Sequence, residues 1–241
     1  MTEISVLALG DWLERDVSPY LPYASAERRE SVARFRHVSD KSRSLWAELF
    51  ARWRLAEAAG VPVSEVAIAH DEKGKLFWPG GSLSLSISHS GNYIAVAVGE
   101  EKIGIDVEKK RKAAPAIAKR WFRTEENELL ESLSEKERPR LFFRLWTLKE
   151  AALKYAGEGL SGGIENVDCL ALIEAARRGA EDALAGRSFA LDGDATVGVV
   201  ARRGELPTEA RLFTIEAVEQ GVYGDANFAE RATILPMVDA I

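Results

Sequence analysis

The 241-residue sequence predicts an α+β fold of two similar α/β halves, each with helices packed on a small antiparallel sheet. Short alternating segments typical of strands stand beside long amphipathic segments typical of helices. The pattern F-x-x-W-x-L-x-E-A occurs at residues 50–58 and again at 143–151, with five identities at an offset of 93 residues. Any buried amphipathic helix can show such spacings, but the order of elements, helices followed by strands, repeats too, which favours an internal duplication.

The duplication predicts a boundary near residue 100, with residues 1–100 forming the first half and residues 101–241 the second. Two related halves enclose a cleft between them, and clefts of this kind are where ligands usually bind. A ligand is therefore expected to bind in the cleft between the halves.

In the first half, a basic segment at 26–38 predicts a helix, and a second helix follows at 40–59, after a capping Asp40 and before Gly60. Residues 64–78 alternate about an EKGK turn and predict a hairpin. Residues 83–108 predict three short strands, separated at SGN and GEE.

In the second half, short helices are predicted at 116–122 and at 124–133, the latter capped by Thr124. A long helix is predicted from residue 136 to a glycine-rich loop at 157–160. The remaining predicted elements are an added helix at 171–186 and strands at 163–170, 187–191, 195–203 and 211–218.

Composition excludes several classes of protein. No apolar run approaches the ~18 residues of a membrane-spanning helix, and the acidic start MTE lacks the basic region of a signal peptide, so a cytoplasmic protein is expected. The single Cys169 excludes a disulfide framework and a cysteine-rich zinc site. A net charge of −6 argues against nucleic acid as the main partner, although basic residues cluster at 27–43 and 108–120.

Asp106 and Glu108 lie one residue apart in the predicted strand IGIDVE. Alternation places both carboxylates on one face while Ile105 and Val107 point to the other. Paired carboxylates suit a hard divalent cation such as Mg²⁺, whose shell phosphate and water can complete. The same pattern also occurs on exposed edge strands as protection against aggregation, so by itself it leaves both interpretations open.

Glu150 and Lys154 are four residues apart and therefore share one face of the predicted long helix. An ordinary surface ion pair would look the same, but Trp146, one turn earlier, indicates that this face is not simply in water. Glu150 could be a third metal ligand or a general base, and Lys154 a general acid or a cation that stabilises negative charge.

Ser88 and His89, in the segment SISHSG, precede a glycine turn where hydroxyl, imidazole and backbone N–H groups can approach an anion. A Ser–His catalytic pair is not expected, because adjacent residues on a strand point apart. His37 and His70 are expected to be structural.

The order SISHSG, IGIDVE and W-x-x-KEA-x-x-K is a composite motif, and with it the sequence resembles the 4′-phosphopantetheinyl transferases. The type it resembles is the larger, monomeric one typified by the surfactin-synthetase activator. The resemblance is densest from about residue 73 to residue 160 and extends more weakly back through 27–45.

The resemblance implies two halves related by a pseudo-two-fold axis, with coenzyme A as a substrate bound in the cleft. It implies that Asp106, Glu108 and Glu150 bind Mg²⁺, or alternatively Mn²⁺, and that Lys154 contacts the pyrophosphate and can protonate the leaving group. Further contacts to the nucleotide are implied for these residues: Arg28, Arg43, Lys75, Ser88, His89 and Lys149.

In the first half, Arg28 and Arg43 match positions that bind the 3′-phosphate of the nucleotide in the family. The chain departs from the pattern at Ser31, where relatives often have a lysine. The grip on the anion is therefore expected to depend on Arg29, Arg34 or Arg43 instead.

The reaction that the resemblance implies moves 4′-phosphopantetheine from coenzyme A to a serine of an apo acyl or peptidyl carrier protein and releases adenosine 3′,5′-bisphosphate. Carrier proteins are acidic, so the basic run 109–120 is a candidate docking edge, with Trp121 and Phe122 as either interface anchors or core residues. Two alternatives stay open: a non-catalytic coenzyme A-binding scaffold of the same fold, and an unrelated Mg²⁺-dependent nuclease, which the acidic net charge disfavours.

Overall fold

The computed structural model describes residues 2–112, 114–157, 163–223 and 232–237. The first half contains two helices and five strands. In chain order they are β1 (Glu3–Ala8), α1 (Ala26–Arg34), α2 (Val38–Ala59), β2 (Ala69–His70), β3 (Leu76–Phe77), β4 (Ser84–Ser90) and β5 (Tyr93–Gly99).

The second half begins with a strand and contains four helices before its last two strands. In chain order they are β6 (Gly104–Lys109), α3 (Pro115–Trp121), α4 (Thr124–Ser132), α5 (Arg138–Ala156), α6 (Cys169–Arg178), β7 (Leu184–Leu191) and β8 (Ala195–Arg202).

Each half contains a three-stranded antiparallel unit with the same order, β1-β5-β4 in the first and β6-β8-β7 in the second. In both units the first strand of the half pairs with the last, and the last two strands form a hairpin. The long helix of each half packs on its own unit, α2 on β5 and β4 and α5 on β6 and β8. The prediction of two similar α/β halves is confirmed.

The C-terminal part of the chain returns to the first sheet. Strand β9 (Glu209–Thr214) pairs in parallel with β1, helix α7 (Ile215–Tyr223) packs on α2, and β10 (Thr233–Pro236) pairs with β9. The prediction that all of residues 101–241 belong to the second half is therefore wrong beyond residue 208, because backbone pairing joins these elements to β1.

The repeated pattern lies on corresponding helices, residues 50–58 on α2 and 143–151 on α5. Phe50 and Leu55 are fully buried against the first sheet, and Phe143 and Leu148 are buried in the second half. The pattern thus records how each long helix packs on its sheet.

Three hydrophobic clusters hold the fold together. One lies between α2 and the first sheet, and another lies among α3, α4, α5 and α6. The third joins the opposite faces of the two sheets, with Ile4 and Val6 of β1 packed in the same cluster as Ile105 and Val107 of β6. Burial of Ile105 and Val107 leaves Asp106 and Glu108 to face away from this cluster, as the alternation predicts.

The long helices end where the glycines predict. Gly60 and Gly157 adopt left-handed backbone conformations, with φ of 68° and 76°, and each terminates its helix. Residues 158–162 of the predicted glycine-rich loop lie outside the described residues. The helix starts differ: α2 begins at Val38 ahead of Asp40, and the N-cap of α4 is Arg123, whose backbone N–H donates to Glu126 at the third helical position.

Three element predictions in the second half are wrong. Residues 163–170 form no strand, because the Asp168 side chain accepts a hydrogen bond from Ala171 N–H and starts α6 at Cys169. The predicted helix 171–186 ends at Arg178, before the strand β7. The predicted strand 211–218 changes to helix α7 at Ile215, where Ile215 and Val218 share a buried helix face.

Across the described ranges, none of the helices combines the length and the apolar character needed to cross a membrane.

Candidate functional site

Two glycines let the α5 helix approach its sheet very closely. A Cβ atom on Gly104 would lie 1.9 Å from Ala151 O, and one on Gly198 would lie 2.6 Å from the carbonyl carbon of Thr147. These distances exclude any side chain, so the α5 backbone rests directly on β6 and β8. The approach brings Glu150 and Lys154 to the Asp106 face of β6. Sequence reasoning did identify Glu150 and Lys154 but missed the roles of Gly104 and Gly198, for which the available signal was a glycine inside each strand pattern.

Asp106 is the best-anchored carboxylate of the site and is only 6% exposed. Its Oδ1 accepts hydrogen bonds from Ser88 Oγ at 2.7 Å and from Lys154 Nζ at 2.8 Å. Its Oδ2 is buried and has no hydrogen-bond partner among the described residues. A buried oxygen without a partner is costly, and an additional ligand at this atom would remove that cost.

Glu108 and Glu150 lie near Asp106, and the environment disfavours the charged form of both. Burial raises the pKa of Glu108, and the charge of Asp106 adds to it, while a hydrogen bond from Ser90 acts in the opposite direction. Burial, followed by the charge of Asp106, raises the pKa of Glu150 to about 7, although Lys154 partly compensates. A carboxyl group with this pKa can exchange a proton near neutral pH, as a general base must.

The raised pKa of Glu150 predicts that the stability of the folded protein in metal-free buffer depends on pH. A carboxyl pKa raised above its unfolded value contributes stability that is present at low pH and is lost as pH rises through about 7. Because water screens a partly buried group, we expect this loss of stability in the wild type to be on the order of 1 kcal/mol. The melting temperatures of Glu150→Gln and the wild type are therefore compared in EDTA. Relative to the wild type, the variant should melt roughly 2–4 °C higher at pH 8 than it does at pH 5. Thermal melts at both pH values measure this, and an equal difference at both would contradict it.

The structure brings the three predicted metal ligands near one another without forming a complete site. Among the residues that the structure describes, no group of three or more His, Cys, Asp or Glu side chains is arranged to hold a metal ion. The residues nevertheless fit Mg²⁺, which binds hard oxygens and needs only one or two protein carboxylates beside phosphate and water. Asp106 Oδ2 could supply one such oxygen, and Glu108, two residues along the same strand, could supply a second. The ligand roles of Asp106, Glu108 and Glu150 stay predictions.

A cavity of about 430 Å³ opens beside Asp106. Its lining includes Ser88, His89 and Lys154 from β4 and α5, and Arg28, Ser31 and Glu48 from α1 and α2. A smaller cavity of about 250 Å³ adjoins it and is lined by Lys75 and Lys154. The structure thus gathers residues from β4, α5, α1 and the β2–β3 hairpin around one cleft.

The two arginines predicted to bind phosphate already have protein partners. Arg28 contacts the buried carboxylate of Glu48 at 3.2 Å and donates to Ser44 Oγ at 2.9 Å. Arg43 pairs with Asp40 and donates to Gly91 O at 3.2 Å. Both guanidinium groups are therefore held in place, but only Arg28 lines the larger cavity, while the charge of Arg43 acts on His89. Their contact with a nucleotide stays a prediction.

The other two arginines proposed to compensate for Ser31 lie elsewhere on α1. Arg29 donates to Ala24 O at 2.8 Å, and Arg34, with 79% of its side chain exposed, forms an i,i+4 pair with Glu30. Neither is among the residues lining the larger cavity.

His89 and Lys75 both have a lowered pKa. The ring of His89 is accessible to water, but the cavity walls surround it, and this desolvation, followed by the charges of Arg43, Lys154 and Arg28, lowers its pKa. Burial, followed by the charge of Lys102, lowers the pKa of Lys75, whose Nζ donates to Tyr155 O at 3.1 Å. A neutral His89 can donate a hydrogen bond to an anion without adding a further charge.

Lys149 does not face the cleft. Its side chain is 0% exposed and forms an ion pair with Glu126 at 2.8 Å, and Glu126 is 1% exposed. Its Nζ also donates to Val167 O at 2.6 Å and to Ile164 O at 3.4 Å. The prediction that Lys149 contacts the nucleotide is wrong in this structure. Consecutive side chains on a helix point about 100° apart, so Lys149 points into the core while its neighbour Glu150 faces Asp106.

The candidate docking edge divides into surface and core. Phe122 is buried and stacks on Phe142 with ring centroids 5.3 Å apart, so it is a core residue and not an interface anchor. Trp121 is half-buried and carries the Arg120 guanidinium over its ring at 4.5 Å. The positively charged side chains at 109–112, 119 and 120 are exposed or partly exposed.

Comparison with known proteins assigns both halves to one group. A family profile described as the 4′-phosphopantetheinyl transferase superfamily matches residues 102–192, and one described as 4′-phosphopantetheinyl transferase, N-terminal, matches residues 14–101. Together they span the cleft and all the residues discussed above that line it.

Individual relatives agree with this result. The chain is 37% identical over 138 residues to a 4′-phosphopantetheinyl transferase of Bacillus subtilis, which covers 57% of this chain and 62% of that protein. It is 31% identical over 153 residues to psf-1 of Bacillus pumilus, covering 63% and 66%. It is 32% identical over 159 residues to Sfp of Bacillus subtilis strain 168, covering 63% and 70%. The matches to the first two relatives thus span slightly less than two thirds of their length.

Proposed function

Because the chain belongs to the 4′-phosphopantetheinyl transferase superfamily, we propose that it transfers 4′-phosphopantetheine from coenzyme A to a serine of an apo acyl or peptidyl carrier protein. The observation that carries this proposal is the placement of Lys154 against Asp106 on the wall of a cleft that Arg28 and Lys75 also line, with Glu150 close to both. The products are the holo carrier and adenosine 3′,5′-bisphosphate.

Glu150 is the general base of the proposed reaction. A serine hydroxyl is a weak nucleophile at neutral pH, and a base must take its proton as it attacks. The pKa of about 7 suits this task, because part of the group is ionised at neutral pH and the carboxylate is basic enough to accept the proton. A new bond forms between the serine oxygen and the β-phosphorus of coenzyme A, and the bond from that phosphorus to the bridging oxygen breaks.

Lys154 stabilises the leaving phosphate. Its Nζ lies between Asp106 and the larger cavity, and 31% of its side chain is exposed. From there it can neutralise the charge that develops on the bridging oxygen or donate a proton to it. Asp106 fixes the position of this ammonium through the 2.8 Å contact.

Mg²⁺ is the metal that we propose for the site, with Mn²⁺ as an alternative. Asp106 and Glu108 would hold it, and Glu150 would complete the set if it is not acting as the base. When bound, the cation neutralises pyrophosphate charge that would otherwise repel the attacking oxygen.

The exposed basic side chains of 109–120 are the proposed docking edge for an acidic carrier protein. Opposite charges across such an interface mainly accelerate association, so the effect should weaken as salt is raised. We propose a cytoplasmic monomer as the working form, with no nucleic acid or membrane partner.

A mass-shift assay tests the proposed function. An apo carrier protein incubated with the chain, coenzyme A and Mg²⁺ should gain about 340 Da, the mass of the transferred group in this phosphoryl-type chemistry. A panel of carrier proteins from fatty-acid, polyketide and peptide synthesis is needed, because the carrier is not fixed by the sequence. A folded chain that binds coenzyme A and gives no gain with any carrier would contradict the proposal.

A further inference from the structure

The strands β4 and β6 lie side by side without a backbone ladder, since they belong to different sheets. Three serines at alternate positions of β4 bridge them, and we call Ser86, Ser88 and Ser90 the serine ladder. Ser86 Oγ accepts a hydrogen bond from Ile105 N–H at 3.1 Å, and Ser90 Oγ accepts one from Lys109 N–H at 3.1 Å. These hydroxyl oxygens thus occupy the role that carbonyl oxygens have in an ordinary sheet.

Two members of the serine ladder also donate to carboxylates. Ser88 Oγ donates to Asp106 Oδ1 at 2.7 Å, and Ser90 Oγ donates to Glu108 Oε2 at 2.9 Å. A hydroxyl has a single hydrogen to donate. Because Ser90 receives the Lys109 N–H on its oxygen, its own hydrogen is free to be directed at Glu108.

The donors determine which carboxylate oxygens remain available. Ser88 and Lys154 occupy Asp106 Oδ1, which leaves the buried Oδ2 without a partner among the described residues. Ser90 occupies Glu108 Oε2, which leaves Oε1. Two carboxylates two residues apart on a strand repel each other, and without fixed donors they would turn apart.

We propose that Ser88 and Ser90 are positioning residues that hold Asp106 and Glu108 with one oxygen each turned towards a divalent cation. The inference rests on the proposed function and extends it. The first half of the chain, through β4, would set the geometry of a cation site whose ligands belong to the second half. Groups that orient metal ligands from behind commonly account for 10–100-fold in metal affinity.

Ser90 is the more informative residue to test, because Ser88 also lines the larger cavity and could touch substrate. Ser90 lines neither of the two cavities described above. The matched control is Ser86, on the same face of the same strand, which lines only the smaller cavity and whose hydroxyl accepts the Ile105 N–H and contacts neither carboxylate among the described residues. Loss of Ser86 removes a link between the strands and leaves both carboxylate bonds in place.

The experiment titrates the full-length chain with Mn²⁺ in the presence of coenzyme A and follows the free ion by electron paramagnetic resonance. We expect Ser90→Ala to weaken Mn²⁺ binding by about 10-fold. Ser86→Ala should leave the affinity unchanged, and Ser90→Thr, which keeps the hydroxyl, should restore most of it. Melting temperatures of all variants show whether each is folded.

Unchanged Mn²⁺ affinity in Ser90→Ala would overturn the inference while leaving the proposed function intact. An equal loss in Ser86→Ala would also overturn it, because the ladder would then act only by joining the halves. If the wild-type chain bound no Mn²⁺, the inference would fall together with the metal part of the proposed function. Failure of the transfer reaction itself would appear separately, as a wild-type chain without the mass gain.

Discussion

Replacement of Glu150 by glutamine is expected to lower the rate of transfer by about 10²–10⁴-fold, the usual contribution of a general base. The change keeps the shape of the side chain and removes its ability to accept the serine proton. Coenzyme A binding should survive, because the cationic residues that line the cleft are untouched. Single-turnover transfer, measured by mass spectrometry, gives the rate, and isothermal titration gives the binding.

The internal duplication provides a matched control in Glu57→Gln. Glu57 occupies the position on α2 that Glu150 occupies on α5, and it pairs with the buried Arg54. Because Arg54 also contacts Glu3 at 2.9 Å, Glu57→Gln should cost some stability but leave transfer unchanged. Equal loss of transfer in both variants would indicate that a change in folding, not in proton transfer, explains the Glu150 result.

The same comparison separates the transferase from the non-catalytic scaffold. A scaffold would bind coenzyme A in the wild type and in Glu150→Gln alike and would transfer nothing in either. A transferase loses activity only in the variant. The raised pKa of Glu150 favours the transferase. Burying a carboxyl group beside two other acids, so that its pKa rises to about 7, lowers the stability of the protein, and a pure binding protein has no need of this arrangement.

The residues of the site could be predicted from sequence where spacing alone decides the geometry. Alternation along β6 placed Asp106 and Glu108 on one face, and helical spacing placed Glu150 and Lys154 on another. What sequence could not supply was the packing between elements. The contact of α5 with β6 through Gly104, and the bonds from Ser88 and Ser90 across to β6, depend on atoms far apart in the chain.

The wrong predictions have the same origin. Lys149 and Lys154 are both part of the composite motif. The side chain of Lys149 nevertheless points into the core, because its partners there are Glu126 of α4 and the carbonyl of Val167 before α6. The segment 209–237 carries strand and helix patterns but no local signal for its partner, which is β1, some 200 residues away. Local pattern predicts an element, and long-range packing decides its role.

Replacement of Lys149 by methionine is expected to be the most destabilising of these changes. Lys149 and Glu126 form a fully buried pair in which each ammonium proton has an acceptor, namely Glu126, Val167 O and Ile164 O. Glu126 also accepts from Cys169 N–H at 2.9 Å and from Arg123 N–H at 2.9 Å. Removing the lysine leaves a buried carboxylate without its cation, at a cost of about 3–5 kcal/mol.

Thermal unfolding should show a decrease in melting temperature of roughly 6–20 °C for Lys149→Met, given the size of the chain. Lys149→Met/Glu126→Gln should melt higher than Lys149→Met alone, since no uncompensated charge then remains buried. The matched substitution on the same helix is Lys154→Met, which removes a partly exposed lysine. It removes the cation beside the buried Asp106 but leaves the hydrogen bond from Ser88 in place, so it should lower the melting temperature less than Lys149→Met does and abolish most of the transfer.

The two lysines should therefore differ in their main effect: Lys149→Met chiefly lowers stability and leaves the coenzyme A affinity of the folded chain unchanged, whereas Lys154→Met chiefly lowers the rate of transfer. If Lys149→Met melted like the wild type but bound coenzyme A poorly, its role as a nucleotide contact would be restored. The buried ion pair would then not describe the working protein. The opposing expectations follow from a difference of five residues on one helix, one side chain in the core and the other in the cleft.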